Sequence, residues 1–565
     1  MTQPFQKLSG SMNLDNLRWW GWGTLDRTYS LDDRPRFWPF LEARLGPIDV
    51  SLHPVLALAD IALPPSRLTN TALAALRGTV GDEHLSTDTT DRLVHSFGKS
   101  YCDLIRLRRG LIDHPTDAVV YPADADQVAD VLRVASAHRY AVVPFGGGTS
   151  VLGGVEPLTG PGQTGVITLD LRRLDHLLAL DETSRLATAQ AGTAGPVLEA
   201  ALNARGFTLG HFPQSFEFST LGGWIATRAA GQASTGYGKI EDMVVSLRVV
   251  TPSGEIVTRR VPASAAGPDL DQLLIGSEGV LGVITEATLR VHPQPAVQSY
   301  RGILFRQFED GLAAIRSILQ SELVPTVVRL SDPAETESFV ALQRVPASRA
   351  RRVRDWAAQR AIAGRGFSLH TGCVLILGFD GDGSQAWQKR RDAALALCRK
   401  AGGFNLGQGV GRTWLRERFD LPYLRDTLLD HGLMVDTLET ATTWDNLEPL
   451  YHHVRSALQG GIESTGVQPW VMCHVSHVYL DGASLYYTFM AKQVPGHEIG
   501  QWQVIKHAAT EAILAHGGTL SHHHGVGRDH APWLVRELGK PGLAALRAVK
   551  QALDPAGVMN PGKIF

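Results

Sequence analysis

Three histidines follow one another in Ser521-His522-His523-His524-Gly525-Val526-Gly527. Three successive histidines read as an exposed polar turn or a metal-binding tract, and the run alone does not choose between these. A second polar group is Cys473-His474-Val475-Ser476-His477, followed by Leu485-Tyr486-Tyr487. Both stretches read as strands, in which alternate side chains share a face, so Tyr486 and Tyr487 point opposite ways and only one reaches a cleft. Arg425, in Tyr423-Leu424-Arg425-Asp426, is a planar, permanently charged fork suited to a phosphate or to a structural salt bridge, and Arg329 stands in Val327-Val328-Arg329-Leu330-Ser331-Asp332.

A different chemistry is written in Pro144-Phe145-Gly146-Gly147-Gly148-Thr149-Ser150. Three glycines after a short apolar strand let backbone N–H groups turn toward an anion, which suits a diphosphate. Neither Gly146 to Val151 nor Gly407 to Arg412 completes the G-x-G-x-x-G fingerprint, and the lysine of a P-loop is missing. Three companion blocks follow. They are Gln214-Ser215 through Phe218-Ser219-Thr220; Gly222-Gly223-Trp224 with Thr227-Arg228-Ala229; and Gly276-Ser277-Glu278-Gly279-Val280-Leu281-Gly282-Val283-Ile284. Each mixes glycine with small hydroxyl residues, as a backbone lying against a flat polar ligand requires.

These residues need a scaffold, and the periodicities supply one. Val119 to Pro122 and Ala141 to Phe145 read as strands around a helix at Asp126 to Ala137; strands at GVITLDL, LATAQAG and VVSLRVVTPSG follow, with a helix at Pro196 to Arg205. From about Gln298 to Tyr487 a strand-helix-strand rhythm repeats, with helices at Glu309 to Gln320 and Trp387 to Lys400, which predicts an antiparallel sheet with helices on one face. The expected class is α+β in four parts: a mostly helical region over 1–110, a ligand-binding domain over 111–295, a cap over 296–500 and a helical segment over 501–565. The tryptophan-rich start, Trp19-Trp20-Gly21-Trp22, reads as a packing appendage.

At 565 residues the chain is long enough for two or three cores. Its 54 basic against 56 acidic residues leave no footprint for nucleic acid. Cys102, Cys373, Cys398 and Cys473 stand apart, as free thiols of a reducing compartment do. No basic and apolar leader is visible in MTQPFQKLSG, and no stretch has the length of a membrane span. A cytoplasmic address is expected, with any membrane contact peripheral.

Taken together and in this order, the glycine and hydroxyl blocks resemble the two-subdomain, PCMH-type FAD-binding domain of the vanillyl-alcohol oxidase family. Arg18 to Gly23, Arg329, Arg425, Trp444, Tyr486 and SHHHGVG extend the resemblance over nearly the whole chain to the alkyldihydroxyacetonephosphate synthase family. That resemblance implies FAD, held without a covalent bond, and a homodimer. It implies exchange of the acyl group of an acyl-dihydroxyacetone phosphate for a long-chain alcohol through a flavin N5 adduct. It also implies that Tyr486 is the acid/base, that Arg425 binds the substrate phosphate, that Arg329 and His522 to His524 are needed for activity, and that Thr220 touches FAD. A phenol titrates at about 10, so as a base Tyr486 needs cationic neighbours, which the histidines and arginines would offer.

The rival is an FAD-linked hydroxyacid dehydrogenase of the D-lactate or glycolate type. Its metal and substrate set is broken here: tyrosine stands where a second strand histidine belongs, and His523 replaces a glutamate, so no metal is expected, although His474, His477 and His523 could form another set. The C-terminal Lys563-Ile564-Phe565 is not a peroxisomal signal. Arginines 344, 349, 351, 352, 354, 360 and 365 against the single Asp355 read either as a solvated face or as a basic helix fit for an anionic membrane.

Overall fold

The computed structural model describes residues 16–49, 51–53, 55–345 and 348–565, leaving the Arg351 side chain and the first fifteen residues, where no leader was read, outside the description. Two sheets build the ligand-binding half. One is four-stranded, in the order Leu85–Ser86, Ala118–Val120, Gly165–Asp170, Tyr140–Phe145, and its last three strands run parallel. The other is five-stranded and antiparallel, with Val283–Arg290 at its centre between Leu186–Gln190 and Val244–Thr251.

The helix between the first strands spans Ala125–His138. Asp124 caps it by accepting the Gln127 N–H, and Ala125, Val128, Val131, Leu132 and Ala135 form the apolar stripe that buries it. Val128, Val131 and Leu132 each contribute about 1.5–3 kcal/mol on full burial. The chain leaves this helix through Arg139 in the left-handed region and enters Tyr140–Phe145, which is buried almost throughout and delivers the glycine loop at its end.

The cap is a seven-stranded antiparallel sheet in the order Phe404–Gly407, Val297–Phe305, Cys373–Gly381, Val327–Ser331, Trp470–Val478, Gly482–Lys492, Leu433–Thr443. Its alternation is what creates the site. Val471, Cys473 and Val475, with Leu485, Tyr487 and Phe489, turn to one face and pack under helices Phe308–Gln320, Leu447–Glu463 and Glu498–Ala515. Met472 and His474, with Tyr486, Thr488 and Met490, turn to the other face and line a cavity. Helix Glu498–Ala515 belongs to the cap core, whereas Leu520, Leu534, Leu543, Val558, Met559 and Ile564 join the core of the ligand-binding half.

The basic segment forms a helix, Arg349–Ala363, with no buried residue among those described. The four cysteines are free and buried. No helix among the described residues is long and apolar enough to cross a membrane.

Candidate functional site

One cavity lies between the cap sheet and the ligand-binding half. The whole loop from Pro144 to Ser150 lines it, with Gln214, Ser215, Ser219, Thr220, Gly223, Thr227, Ala229, Glu278, Gly279, Gly282 and Ile284. Its cap wall brings in Arg329, Arg425, His474, His477, Tyr486, His523 and His524. The scattered motifs of the sequence thus meet around a single space. Three predicted site residues do not line it, Arg228, Val283 and His522. Arg228 turns away, with its guanidinium donating to the Gln272 carbonyl and side chain, and Val283 is a buried strand residue paired with Val250.

The glycine loop is tightly constrained. A Cβ on Gly147 would overlap the Phe218 carbonyl, and one on Gly148, at φ +62°, would strike the Phe145 ring. The N–H groups of Gly147, Gly148 and Thr149 find no acceptor among the described residues. Unpartnered donors on a cavity wall are a fit for a diphosphate. Nearby, the Thr220 hydroxyl accepts the Gly223 N–H and caps the short helix Leu221–Ala226.

Tyr486 is stacked on His474, ring centroids 4.8 Å apart, in direct cross-strand register with it. Its hydroxyl donates to Thr437 Oγ1 at 3.1 Å. Burial pushes its pKa up to about 12. Cationic histidines that would favour the phenolate are not supplied. Burial, reinforced by Lys239, drives His522 down to about 3, and burial with the neighbouring imidazoles drives His523 well below its ordinary value. At neutral pH the pair is therefore a protonated phenol beside neutral imidazoles, an arrangement suited to donation by Tyr486 and acceptance by His523. Tyr487 points the other way and donates to the Tyr451 carbonyl.

Two buried carboxylates that the sequence did not single out position these groups. Glu335 Oε1 accepts from Arg329 Nη2 at 2.9 Å and pairs with His474 Nδ1 at 2.8 Å, while Arg329 Nη1 meets His474 Nε2 at 3.1 Å. Burial would raise the Glu335 pKa, but Arg329 and His474 hold it at about 2. Glu439 anchors the histidine turn: it accepts the Ser521 hydroxyl at 2.7 Å and the N–H groups of His522, His523 and His524 at 2.5, 3.1 and 2.9 Å. Burial opposes its charge, yet His524, His522 and these donors keep it at about 2. From the other side, Glu278 accepts the Val526 and Gly527 N–H groups at 2.6 and 2.7 Å, so the turn is clamped between both halves of the molecule.

His522 lies behind the cavity wall, bonded to Tyr479 OH at 2.6 Å and in Nδ1 contact with His523 at 2.9 Å. Nitrogens of His477, His522 and His523 lie within 4.8 Å of one another, a set able to hold a metal ion; the sequence led to no metal being expected and offered His474 where this set has His522. Trp22 and Lys99 also line the cavity. The tryptophan-rich start is thus part of the site wall: the Trp22 N–H donates to Asp426, which pairs with Arg18, and the Trp22 ring meets Phe218 edge-on.

Two family models cover most of the chain: "FAD binding domain" over residues 116–260 and "FAD linked oxidases, C-terminal domain" over 294–564. Alkyldihydroxyacetonephosphate synthase of Dictyostelium discoideum is 35% identical over 91% of this chain and 83% of its own length, and that of Trypanosoma brucei brucei is 36% identical over 89% and 82%. The chain belongs to the alkyldihydroxyacetonephosphate synthase family. A solved structure of alkyldihydroxyacetonephosphate synthase superposes with a TM-score of 0.84 at 32% identity, over 97% of this chain and 99% of the other. Like other members of the FAD-linked oxidase group, this synthase-family chain uses FAD, and the glycine loop with its unpartnered N–H groups is where the cofactor's diphosphate fits.

Proposed function

We propose that the protein exchanges the acyl group of an acyl-dihydroxyacetone phosphate for a long-chain alcohol, yielding the ether phosphate and a fatty acid. One observation carries this reading. The cavity that holds the glycine loop, Tyr486 and His523 is also walled by Phe339, Leu342, Leu424, Leu428, Met472 and Met490, so a polar reaction centre opens onto space for an alkyl chain.

In the exchange, the bond from the ketone-side carbon to the acylate oxygen breaks and a bond from that carbon to the alcohol oxygen forms. The alcohol's proton ends on the carboxylate. Bound FAD supplies the electron-accepting centre for this chemistry, with no net oxidation. His523, neutral and on the cavity wall, takes a proton; Tyr486, protonated, gives one. Arg329, oriented by Glu335 and His474, presents positive charge to the reacting end, and Arg425 binds the substrate phosphate. The hydroxyacid dehydrogenase alternative is the weaker, since the relatives covering most of the chain at 35 and 36% identity are synthases.

Incubation with palmitoyl-dihydroxyacetone phosphate and labelled hexadecanol should place the label in an ether phosphate with equimolar palmitate released. Palmitate without label, or neither product, would remove the exchange reading.

The lipid substrate gives the basic helix a role. Along Arg349–Ala363, Val353 and Trp356 are 63% and 58% exposed among arginines, and the helix rests this face on an anionic bilayer.

A further inference from the structure

Lys99 is the one described cavity residue whose charge the fold leaves without a partner near Arg425. It lies in the turn between helices Thr89–Val94 and Tyr101–Arg109 and is fixed from three sides. Its N–H donates to the Ser150 carbonyl at 2.6 Å, its own carbonyl accepts from Arg425 Nη1 at 2.9 Å, and Ser100 begins the next helix with a capping box to Asp103. Gly98 is required beside it, because a Cβ there would overlap the Ser150 carbonyl. The backbone of Lys99 therefore ties the glycine loop to Arg425 of the cap, and Lys99 lines the cavity.

No acceptor among the described residues meets the Lys99 ammonium. Asp426, the acid that acts most strongly on Lys99, is already engaged by the Trp22 N–H and by Arg18. Arg425 spends Nη1 on the Lys99 carbonyl and keeps a buried Nε without any partner. Burial pushes the Lys99 pKa down to about 8, as expected of an ammonium that lacks a counter-ion. Two enclosed cations with unspent donors are costly unless an anion completes them.

We propose that Lys99 and Arg425 together form a phosphate-binding pair that takes the phosphate monoester end of the substrate. This rests on the reading of the cavity as a site for an acyl ketone phosphate, and names Lys99 as a second residue reading that group. A phosphate could also come from the FAD diphosphate, since Lys99 abuts the glycine loop. The two sources separate by experiment.

The FAD-loaded protein is titrated with inorganic phosphate by calorimetry, for the wild type and for Lys99→Ala and Lys99→Arg, and FAD affinity is measured in parallel by reconstitution. Phosphate binding weakened about 10- to 100-fold in Lys99→Ala, the range of one charge-assisted hydrogen bond, retained within about 3-fold in Lys99→Arg, with FAD affinity unchanged, is the expected result. Weakened FAD affinity with unaltered phosphate binding would overturn the proposal by assigning Lys99 to the cofactor, and no change in either would overturn it outright. Because inorganic phosphate is the probe, a protein that binds it through Lys99 yet fails to exchange acyl for alkyl would leave this site standing and remove only the proposed reaction.

Discussion

Tyr486 and His523 face the same space in opposite proton states, and burial is the cause of both. A low-polarity wall disfavours the phenolate and the imidazolium alike, so one group holds its proton and the other lacks one at neutral pH. Replacing Tyr486 with Phe removes a hydroxyl whose hydrogen bond among the described residues goes to Thr437, so FAD content should stay at the wild-type level while turnover falls about 100- to 10,000-fold. Flavin absorbance of the purified variant and a product assay check this; wild-type turnover would remove Tyr486 from the chemistry. Strand alternation left Tyr486 and Tyr487 as alternatives and the family resemblance chose Tyr486, yet the sequence suggested the wrong charge for the histidines, because adjacency in a run says nothing of burial.

At the scale of elements, the histidine turn keeps its shape because Glu439 gathers the N–H groups of His522, His523 and His524 and Glu278 gathers those of Val526 and Gly527. Glu439 sits on strand Leu433–Thr443, about eighty residues before the turn, and nothing local in the sequence couples them. Its strand, LMVDTLETATT, carries a second carboxylate, Asp436, so nothing in the sequence marked Glu439 as the anchor. The glycine and hydroxyl blocks were legible for the opposite reason: their demand for small residues is local and steric. The folded pKa of Glu439, about 2, lies below the ordinary 4.5, so its contribution to stability is present above 4.5 and lost as pH falls toward 2. Thermal melts from pH 7 to 3 should show the wild type ahead of Glu439→Gln by a margin that shrinks by about half near pH 3. A margin independent of pH would mean that the carboxylate charge does not hold the turn.

For the molecule as a whole, the cap and the ligand-binding half meet at one cavity, and the N-terminal region closes it. The strand rhythm of the cap and the α+β class were readable from periodicity, with helices at Ala125–His138, Phe308–Gln320 and Gln385–Lys400 close to their expected limits. The part played by Trp22 and Lys99 was not, because it depends on packing against Phe218, Asp426 and Ser150, each distant in the chain. The exposed basic helix, with Trp356 on its surface, predicts binding to vesicles containing anionic phosphatidylserine that falls with added salt and with Trp356→Ala, as sedimentation would show. Equal binding to neutral and anionic vesicles would contradict that role.

The most direct measurement is anaerobic mixing of the FAD-loaded protein with palmitoyl-dihydroxyacetone phosphate and, separately, with D-lactate, glycolate and D-2-hydroxyglutarate, following the visible flavin absorbance and free fatty acid. Bleaching with fatty-acid release by the acyl ketone phosphate alone is the predicted result. Bleaching by a hydroxyacid, with its oxidation to the keto acid and no response to the acyl ketone phosphate, would contradict the account and make the cavity a dehydrogenase site.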